Sequence, residues 1–436
     1  MQDNKYLAID IGASSGRHII GYNNEKGEMI LEEVYRFNNQ MTECEGHLTW
    51  DIDYIFKEVK NGIKIALKKY PNIKTMSIDT WGVDYVLING DKTIYPVFAY
   101  RDNRTNDVIS MVHNIISFDK LYDVTGIQFQ PFNTIYQLYC DKINGRLNEV
   151  TDFLYMPEYL IYKLTGKKTH ELTMASTSGL LDKHTKAYSE EIISALGLNK
   201  SLFNKLDEPK TLISKFTLDV AKEVGGSIDV LLCATHDTAS AVEGIDMIEN
   251  SPYVSSGTWS LLGIKQLSVN NSKKAQNANY SNEYGPNYIR LQKNIMGLWI
   301  IQNLSKELKL DFNAMIDLSK KSSFDMIFDV NDNAFLNTKN MKNEIVNWFK
   351  VHKGIDKLTN EDIINSCYHS LAYSYKQSLN ELEDITGTIY KKIYIVGGGA
   401  KNEYLNYLTG KYTGKEIISY PIEMTAFGNI KVQMES

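Results

Sequence analysis

Apolar and polar positions alternate over short stretches of this chain, so that it divides into brief strands, tight turns and amphipathic helical runs. Tyr6 to Ile11 and Arg17 to Tyr22 are β-prone and are separated by Gly12-Ala13-Ser14-Ser15-Gly16, which predicts strand, turn, strand. Another β-like run covers residues 28 to 37. An amphipathic helix capped by Asp51 or Asp53 then ends near Tyr70. Thr75 to Asp79 read as a strand entering the turn Thr80-Trp81-Gly82-Val83-Asp84, followed by Tyr85 to Ile88 and an Asn89-Gly90-Asp91 hairpin turn. Asp102 or Asn103 caps a further helix start, helical patterns cover Ile135 to Ile143 and Met156 to Leu164, and the chain to about 225 reads as mainly helical. Ile228 to Leu232 is β-prone again. Small residues at helical spacing follow it, which places Asp237 at a strand-to-helix junction.

The second half repeats the opening. Tyr253-Val254-Ser255-Ser256-Gly257-Thr258-Trp259-Ser260-Leu261 predicts strand, Ser/Gly turn, strand about 245 residues after the first such hairpin, which suggests a duplicated architecture. The polar stretch Asn270 to Asn282 reads as a surface loop. Asn294 to Gln302 reads as the opening of a helix whose Gly297 admits a ligand. Helices are expected to about 322 and from 360 to 384. Tyr390 to Val396 then forms a strand that runs into Gly397-Gly398-Gly399 before another amphipathic helix. With the boundary at Ser251-Pro252, this predicts domains at 1–245 and 251–436, consistent with a length of 436 residues.

Composition narrows the class. Apolar residues make up 43% and charged residues 23%, ordinary for a globular chain, and a net charge of −6 excludes a dedicated nucleic-acid binder. The start lacks a signal-peptide core, and no apolar run approaches membrane-spanning length. Cys44, Cys140, Cys233 and Cys367 are far apart, as in a reduced cytoplasmic protein without a zinc site.

Several segments carry chemistry. The Gly12–Gly16 turn can aim backbone N–H and hydroxyl donors at phosphate, although a plain Gly/Ser hairpin with a solvated Arg17 fits the residues equally well. Neither a P-loop nor a dinucleotide fingerprint is present. Asp10 at the end of the first strand is placed to hold Mg²⁺, usually through water, beside a polyphosphate. Three glycines at a strand-to-helix turn clear room for a nucleotide, and the Thr125 to Thr134 loop offers amides and aromatics suited to a sugar. His47 reads as structural. Asp237 is either a helix cap or a ligand-facing carboxylate, and the local residues leave both open.

Taken in order, Asp10-x-Gly12-x-Ser14-Ser15-Gly16-Arg17, Thr80 to Asp84, Tyr100-Arg101-Asp102, His236-Asp237-Thr238, Ser256-Gly257-Thr258-Trp259 and Gly397-Gly398-Gly399-Ala400 resemble the FGGY carbohydrate kinases. The resemblance covers nearly the whole chain. It implies an α/β fold of two actin-like, ribonuclease-H-type ATPase domains with an interdomain cleft. Ala13 to Arg17, Arg36 to Asn39, Gly46 to Asp51, Gly126 to Phe129, Pro131 to Thr134 and Asn294 to Trp299 are similar to the branch of that family acting on L-rhamnulose. That branch phosphorylates the sugar's 1-hydroxyl with ATP to give L-rhamnulose 1-phosphate and ADP in L-rhamnose breakdown; relatives act on L-fuculose or D-xylulose. A non-catalytic actin-like ATPase or a sugar-binding regulator is the alternative of another class.

The same resemblance implies roles for particular residues. It makes Asp237 the proton acceptor and puts Gly82, His236, Thr238 and Asn294 near the ketose. Ala13, Ser14, Ser15, Gly16, Arg17, Thr258, Gln302 and Gly398 fall near ATP, and Asp10 near Mg²⁺. Asp237 is then expected to face the cleft and leave the helix amides to other partners. Family members usually continue with a helical stretch beyond the Gly428-Asn429-Ile430 segment, and its absence is expected to loosen the second domain.

Overall fold

A computed structural model describes residues 4–247, 251–336, 338–420 and 423–436; the first residues, 1–3, read above for a signal core, lie outside them. In the first half, β1 (Lys5–Ile11), β2 (Ser15–Asn23) and β3 (Met29–Asn38) form an antiparallel meander, and α1 (Ile52–Lys69) follows. Asp51 caps α1 by accepting from the Tyr54 amide, and Ile55, Val59, Ile63 and Ala66 recur at helical spacing on its buried face. The chain then enters β4 (Ile73–Thr80), parallel to β1, and returns through β5 (Leu212–Lys215) and β6 (Asp229–Leu231). The sheet order is β5-β6-β4-β1-β2-β3. Both faces of β1 are covered, which is why Leu7-Ala8-Ile9 is an unbroken apolar run.

After α2 (Asp237–Glu243), the second sheet is built from β7 (Tyr253–Ser256), β8 (Trp259–Gln266), β9 (Ser281–Tyr284) and β10 (Ile289–Met296). It continues through α3 (Trp299–Leu308), α4 (Asn360–Thr386), β11 (Lys392–Val396), α5 (Glu403–Thr413), β12 (Glu416–Ser419) and α6 (Met424–Met434). Its order is β9-β10-β8-β7-β11-β12. The succession β3-β2-β1-β4-β6 therefore has its counterpart in β10-β8-β7-β11-β12, with the same parallel and antiparallel pairings, and the duplication expected from the two hairpins is real.

Several contacts tie the halves, at both ends of the cleft. Helix α6 packs on the first sheet: Ile430 joins Tyr6, Ala8 and Ile19, and Val432 joins Leu231 and Cys233. Buried beneath it, Asn429 donates to Asp79 at 2.6 Å, while Gln433 donates to the Leu7 carbonyl and accepts from Thr75. At the other end the Gly126–Phe129 loop meets the segment entering β9: Asn282 donates to Gly126 O and Asn279 to Phe129 O, each at 3.0 Å.

Four expectations need correction. Asn294 lies in strand β10, and the helix begins only at Trp299. A Cβ on Gly297 would sit 2.7 Å from Gly257 O, so this glycine serves backbone packing against the β7–β8 turn instead of a ligand. The Asn270 to Asn282 segment is not all surface loop, since it holds a short helix and the first residues of β9. The stretch to 225 also contains short strands, among them β5, between its helices.

Candidate active site

The two hairpins and the two strand-to-helix junctions open on one cleft of about 460 Å³. Asp10, Ala13, Ser14, Ser15, Arg17, Gly82, His236, Asp237, Thr238, Thr258, Asn294, Gln302 and Gly398 all line it. Gly16 does not. It lies in β2 under the Phe37 ring, where an added Cβ would approach a ring carbon to 2.1 Å, so its bareness serves packing.

Asp237 is the first residue of α2, with His236 in the cap position. Its side chain keeps 30% of its exposure, toward the cleft. The expectation that the helix amides would be left to other groups is only partly met: Oδ1 accepts from the Thr238 amide at 2.5 Å and from the Thr238 hydroxyl at 3.1 Å. Among the described residues no hydrogen bond falls on Oδ2, so one carboxylate oxygen acts locally and the other is available. Burial raises the pKa of Asp237, and the nearby Asp10 charge adds to the rise while His236 and the Thr238 amide oppose it. The carboxylate is thus a stronger proton acceptor than an exposed aspartate.

Asp10 faces Asp79 across the parallel β1–β4 pair and Arg17 across the β1–β2 hairpin. Arg17 donates to Asp10 Oδ2 at 2.5 Å and also to Glu423, bridging the first hairpin to the segment leading into α6. Burial alone would lower the Arg17 pKa, but these two carboxylates raise it, so Arg17 is a fixed cation and not the solvated side chain of a plain hairpin. Asp79 is fully buried with Oδ1 unpartnered, and burial followed by the Asp10 charge holds its pKa well above the usual carboxylate range.

The triple-glycine turn divides its labour. Gly397 has φ +82° and would bring a Cβ within 2.7 Å of Ser256 O, while a Cβ on Gly399 would lie 2.0 Å from Ser256 Oγ. Gly398 has open space, and it is the one of the three with room for a ligand against its Cα. Two of the three glycines are therefore demanded by the close approach of β11 to β7.

The cleft wall around Gly82 is fixed from behind. Asp84, fully buried, accepts from the Trp50 and Trp81 indoles at 2.7 and 2.9 Å and from the Tyr100 amide at 3.0 Å. It anchors a γ-turn in which Asp84 N donates to Gly82 O around Val83, a β-branched residue at φ +67°. Such a backbone costs about 1–3 kcal/mol and persists only where the surroundings over-determine it. His47 is structural as expected, paired with Asp102 at 3.0 Å.

Residues that sequence reasoning missed also border the cleft: Glu283, Lys401 and Glu423. Among the described residues no three His, Cys, Asp or Glu side chains converge as a metal cage, and no helix is long and apolar enough to cross a membrane. Asp10, with Asp79 behind it, nevertheless presents hard oxygens of the kind Mg²⁺ takes when phosphate and water supply most of its ligands.

Comparison with known proteins agrees with this geometry. Residues 5–244 match the N-terminal domain, and residues 252–436 the C-terminal domain, of the FGGY family of carbohydrate kinases. A protein named rhamnulokinase from Oceanobacillus iheyensis is 40% identical over 98% of this chain and 92% of its own length. Another of that name from Halalkalibacterium halodurans is 41% identical over 99% and 93%. Among solved structures, a ligand-bound xylulose kinase from Lactobacillus acidophilus shares the fold, with a TM-score of 0.81 at 15% identity over 99% of this chain and 89% of that one. Two matched halves, a duplicated sheet and one shared cleft lead to a single conclusion: the chain belongs to the FGGY family of carbohydrate kinases, sugar-phosphorylating enzymes that take ATP as co-substrate.

Proposed function

We propose that the chain transfers the γ-phosphoryl group of ATP to the 1-hydroxyl of L-rhamnulose, giving L-rhamnulose 1-phosphate and ADP in L-rhamnose breakdown. The observation that carries this reading is the position of Asp237, whose unengaged Oδ2 belongs to a cleft bordered by both Ser/Gly hairpins and by Gly398. The names of the relatives supply the sugar.

Residues of the first half, Gly82, His236 and Thr238, together with Asn294 of the second, surround the ketose in this reading. Ala13 to Arg17, Thr258, Gln302 and Gly398 surround the nucleotide, with Gly16 acting through the packing of its hairpin. Asp237 accepts the hydroxyl proton as the sugar oxygen attacks phosphorus in line. Arg17 and the hairpin amides face the growing negative charge. Mg²⁺ held by Asp10 would neutralise charge on the phosphate oxygens. Residues 1–245 then bind the sugar and supply one phosphate hairpin, and residues 251–436 bind the nucleotide from the other side. We place the protein in the cytoplasm, in keeping with four free thiols.

An ADP-release assay across L-rhamnulose, L-fuculose, D-xylulose and glycerol tests the reading. L-Rhamnulose is expected to give the highest kcat/KM, and a better rate with another sugar overturns the specificity. Asp237→Asn is expected to keep ketose and ATP affinities within about threefold while losing about 10³-fold or more in kcat. Near-normal turnover would remove Asp237 from its role.

A further inference from the structure

Two amide side chains from different halves of the molecule meet in the cleft. Gln128, from the Gly126–Phe129 loop, is 3% exposed and lines the cleft together with Asn294 of β10. The loop is held along its length: Asn282 and Asn279 donate to Gly126 O and Phe129 O, and the Gln128 backbone N–H donates to Ser281 Oγ at 3.4 Å. The Asn294 backbone N–H in turn donates to Gln128 Oε1 at 3.2 Å. A backbone N–H can only donate, so this bond fixes which way the Gln128 amide points: Oε1 is occupied and Nε2 is the end left for the cleft. Among the described residues Nε2 has no hydrogen bond, and Asn294 Oδ1 is buried without a partner. An open donor and a buried open acceptor on touching residues are costly unless water or a ligand enters between them.

The pair stands at a definite distance from the proton acceptor. Arg290, Gln292 and Asn294 are alternate residues of β10 and share a face. Arg290 Nη2 donates to His236 Nδ1 at 3.3 Å and Nη1 to Gln292 Oε1 at 3.5 Å, and Asn294 lies two residues, about 7 Å, beyond Gln292. The carbon chain of a ketose spans such a separation. We propose that Gln128 is a specificity-determining residue: with Asn294 it binds one hydroxyl of the sugar other than the hydroxyl that is phosphorylated. This rests on the kinase reading above. Polarity selects the ligand group. A hydroxyl oxygen accepts from Gln128 Nε2 and donates its proton to Asn294 Oδ1, whereas a carbonyl, ether or phosphate oxygen has no proton to give. Because Gln128 and Asn294 belong to different halves, the hydroxyl is enclosed only while the Gly126–Phe129 loop stays docked against β9 and β10.

The test is direct binding of L-rhamnulose without ATP, read from the fluorescence of the cleft-lining Trp81 and Trp259. Gln128→Met keeps the length of the side chain and removes both amide atoms. It is expected to raise the Kd by about tenfold, with the KM for ATP within twofold. A merely structural role predicts the reverse, a lower urea midpoint with sugar affinity retained. Among the 3-, 4- and 5-deoxy analogues of L-rhamnulose, one should bind the unaltered protein about tenfold more weakly than the parent sugar and be indifferent, within twofold, to Gln128→Met. A Kd for L-rhamnulose within twofold of the unaltered protein, or an equal loss for all three analogues, overturns the proposal. Should Gln128→Met fail to fold, Gln128→Glu carries the test: it still accepts from the Asn294 N–H but presents an acceptor in place of Nε2, and full affinity in it overturns the proposal equally. Binding is read without turnover, so tight binding through Gln128 with no ADP release sinks the kinase reading alone. Normal turnover with an unmoved Kd sinks this contact alone.

Discussion

The hairpins β1–β2 and β7–β8 occupy equivalent places in the five-strand succession that the two sheets share, yet they differ in charge. The first carries Asp10 and Arg17, backed by Asp79; the second offers Ser255, Ser256 and Thr258 around Gly257 and no ionisable side chain in the turn. The buried carboxylates of the two halves also shift in opposite directions. Burial raises Asp79 and Asp237 and the Asp10 charge adds to both, whereas at Glu283 His236 and Arg290 outweigh burial and bring the pKa to about 2. The two halves thus share the backbone cradle and differ in the side chains around it: the first hairpin carries an acid and a base on its strands, and the second has a neutral turn.

The largest effect should come from removing the charge of the first hairpin. Asp10→Asn is expected to cut turnover by about 10³-fold while the protein stays folded; a loss no greater than tenfold would erase the contrast between the hairpins. Next in size is the contact that supports the second hairpin. Gly399→Ala must push a Cβ into Ser256, so it should destabilise by about 2–3 kcal/mol in urea unfolding, whereas Gly398→Ala should leave stability within about 0.5 kcal/mol and weaken ATP binding. Equal destabilisation by the two would show that the triple glycine does not divide its work.

A smaller effect separates the carboxylates by pH. Because the folded-state pKa of Glu283 lies below its ordinary value of 4.5, the stability it contributes is present above that value and drains as pH falls through about 2. Glu283→Gln should therefore flatten the acid limb of the stability curve relative to the unaltered chain, and parallel limbs would contradict the assigned direction. The smallest change is expected from Thr258→Val in the uncharged turn, about a three- to tenfold rise in the KM for ATP with kcat within twofold. A fall in kcat as deep as that of Asp10→Asn would mean that the second hairpin also stabilises the transition state.

Much of this was legible in the residues because strand, turn and glycine signals are local. Tyr6 to Tyr22, Tyr253 to Leu261 and Tyr390 to Ala400 all read correctly as strand-turn elements. Failures came where burial is imposed from a distance. Glu283 sits in a polar, Asn-rich stretch with no strand periodicity, and it is buried only because the Gly126–Phe129 loop and Arg290 close over β9. Asn294-Ile295-Met296 runs into an apolar helix start, so a pattern window merges the end of β10 with α3. Gly16 stands in sequence among residues expected near phosphate, yet its surroundings are set by Phe37, twenty-one positions on.

The seating of α6 on the first sheet has a consequence for the order of synthesis. Tyr6, Ala8 and Ile19 leave the ribosome long before Ile430, the side chain that covers them. Asp79 and Thr75 wait as long for Asn429 and Gln433. The first half therefore keeps an apolar face and buried-type polar groups open to water while the second half is being made, and its consolidation is a long-range event governed by residues 424–434.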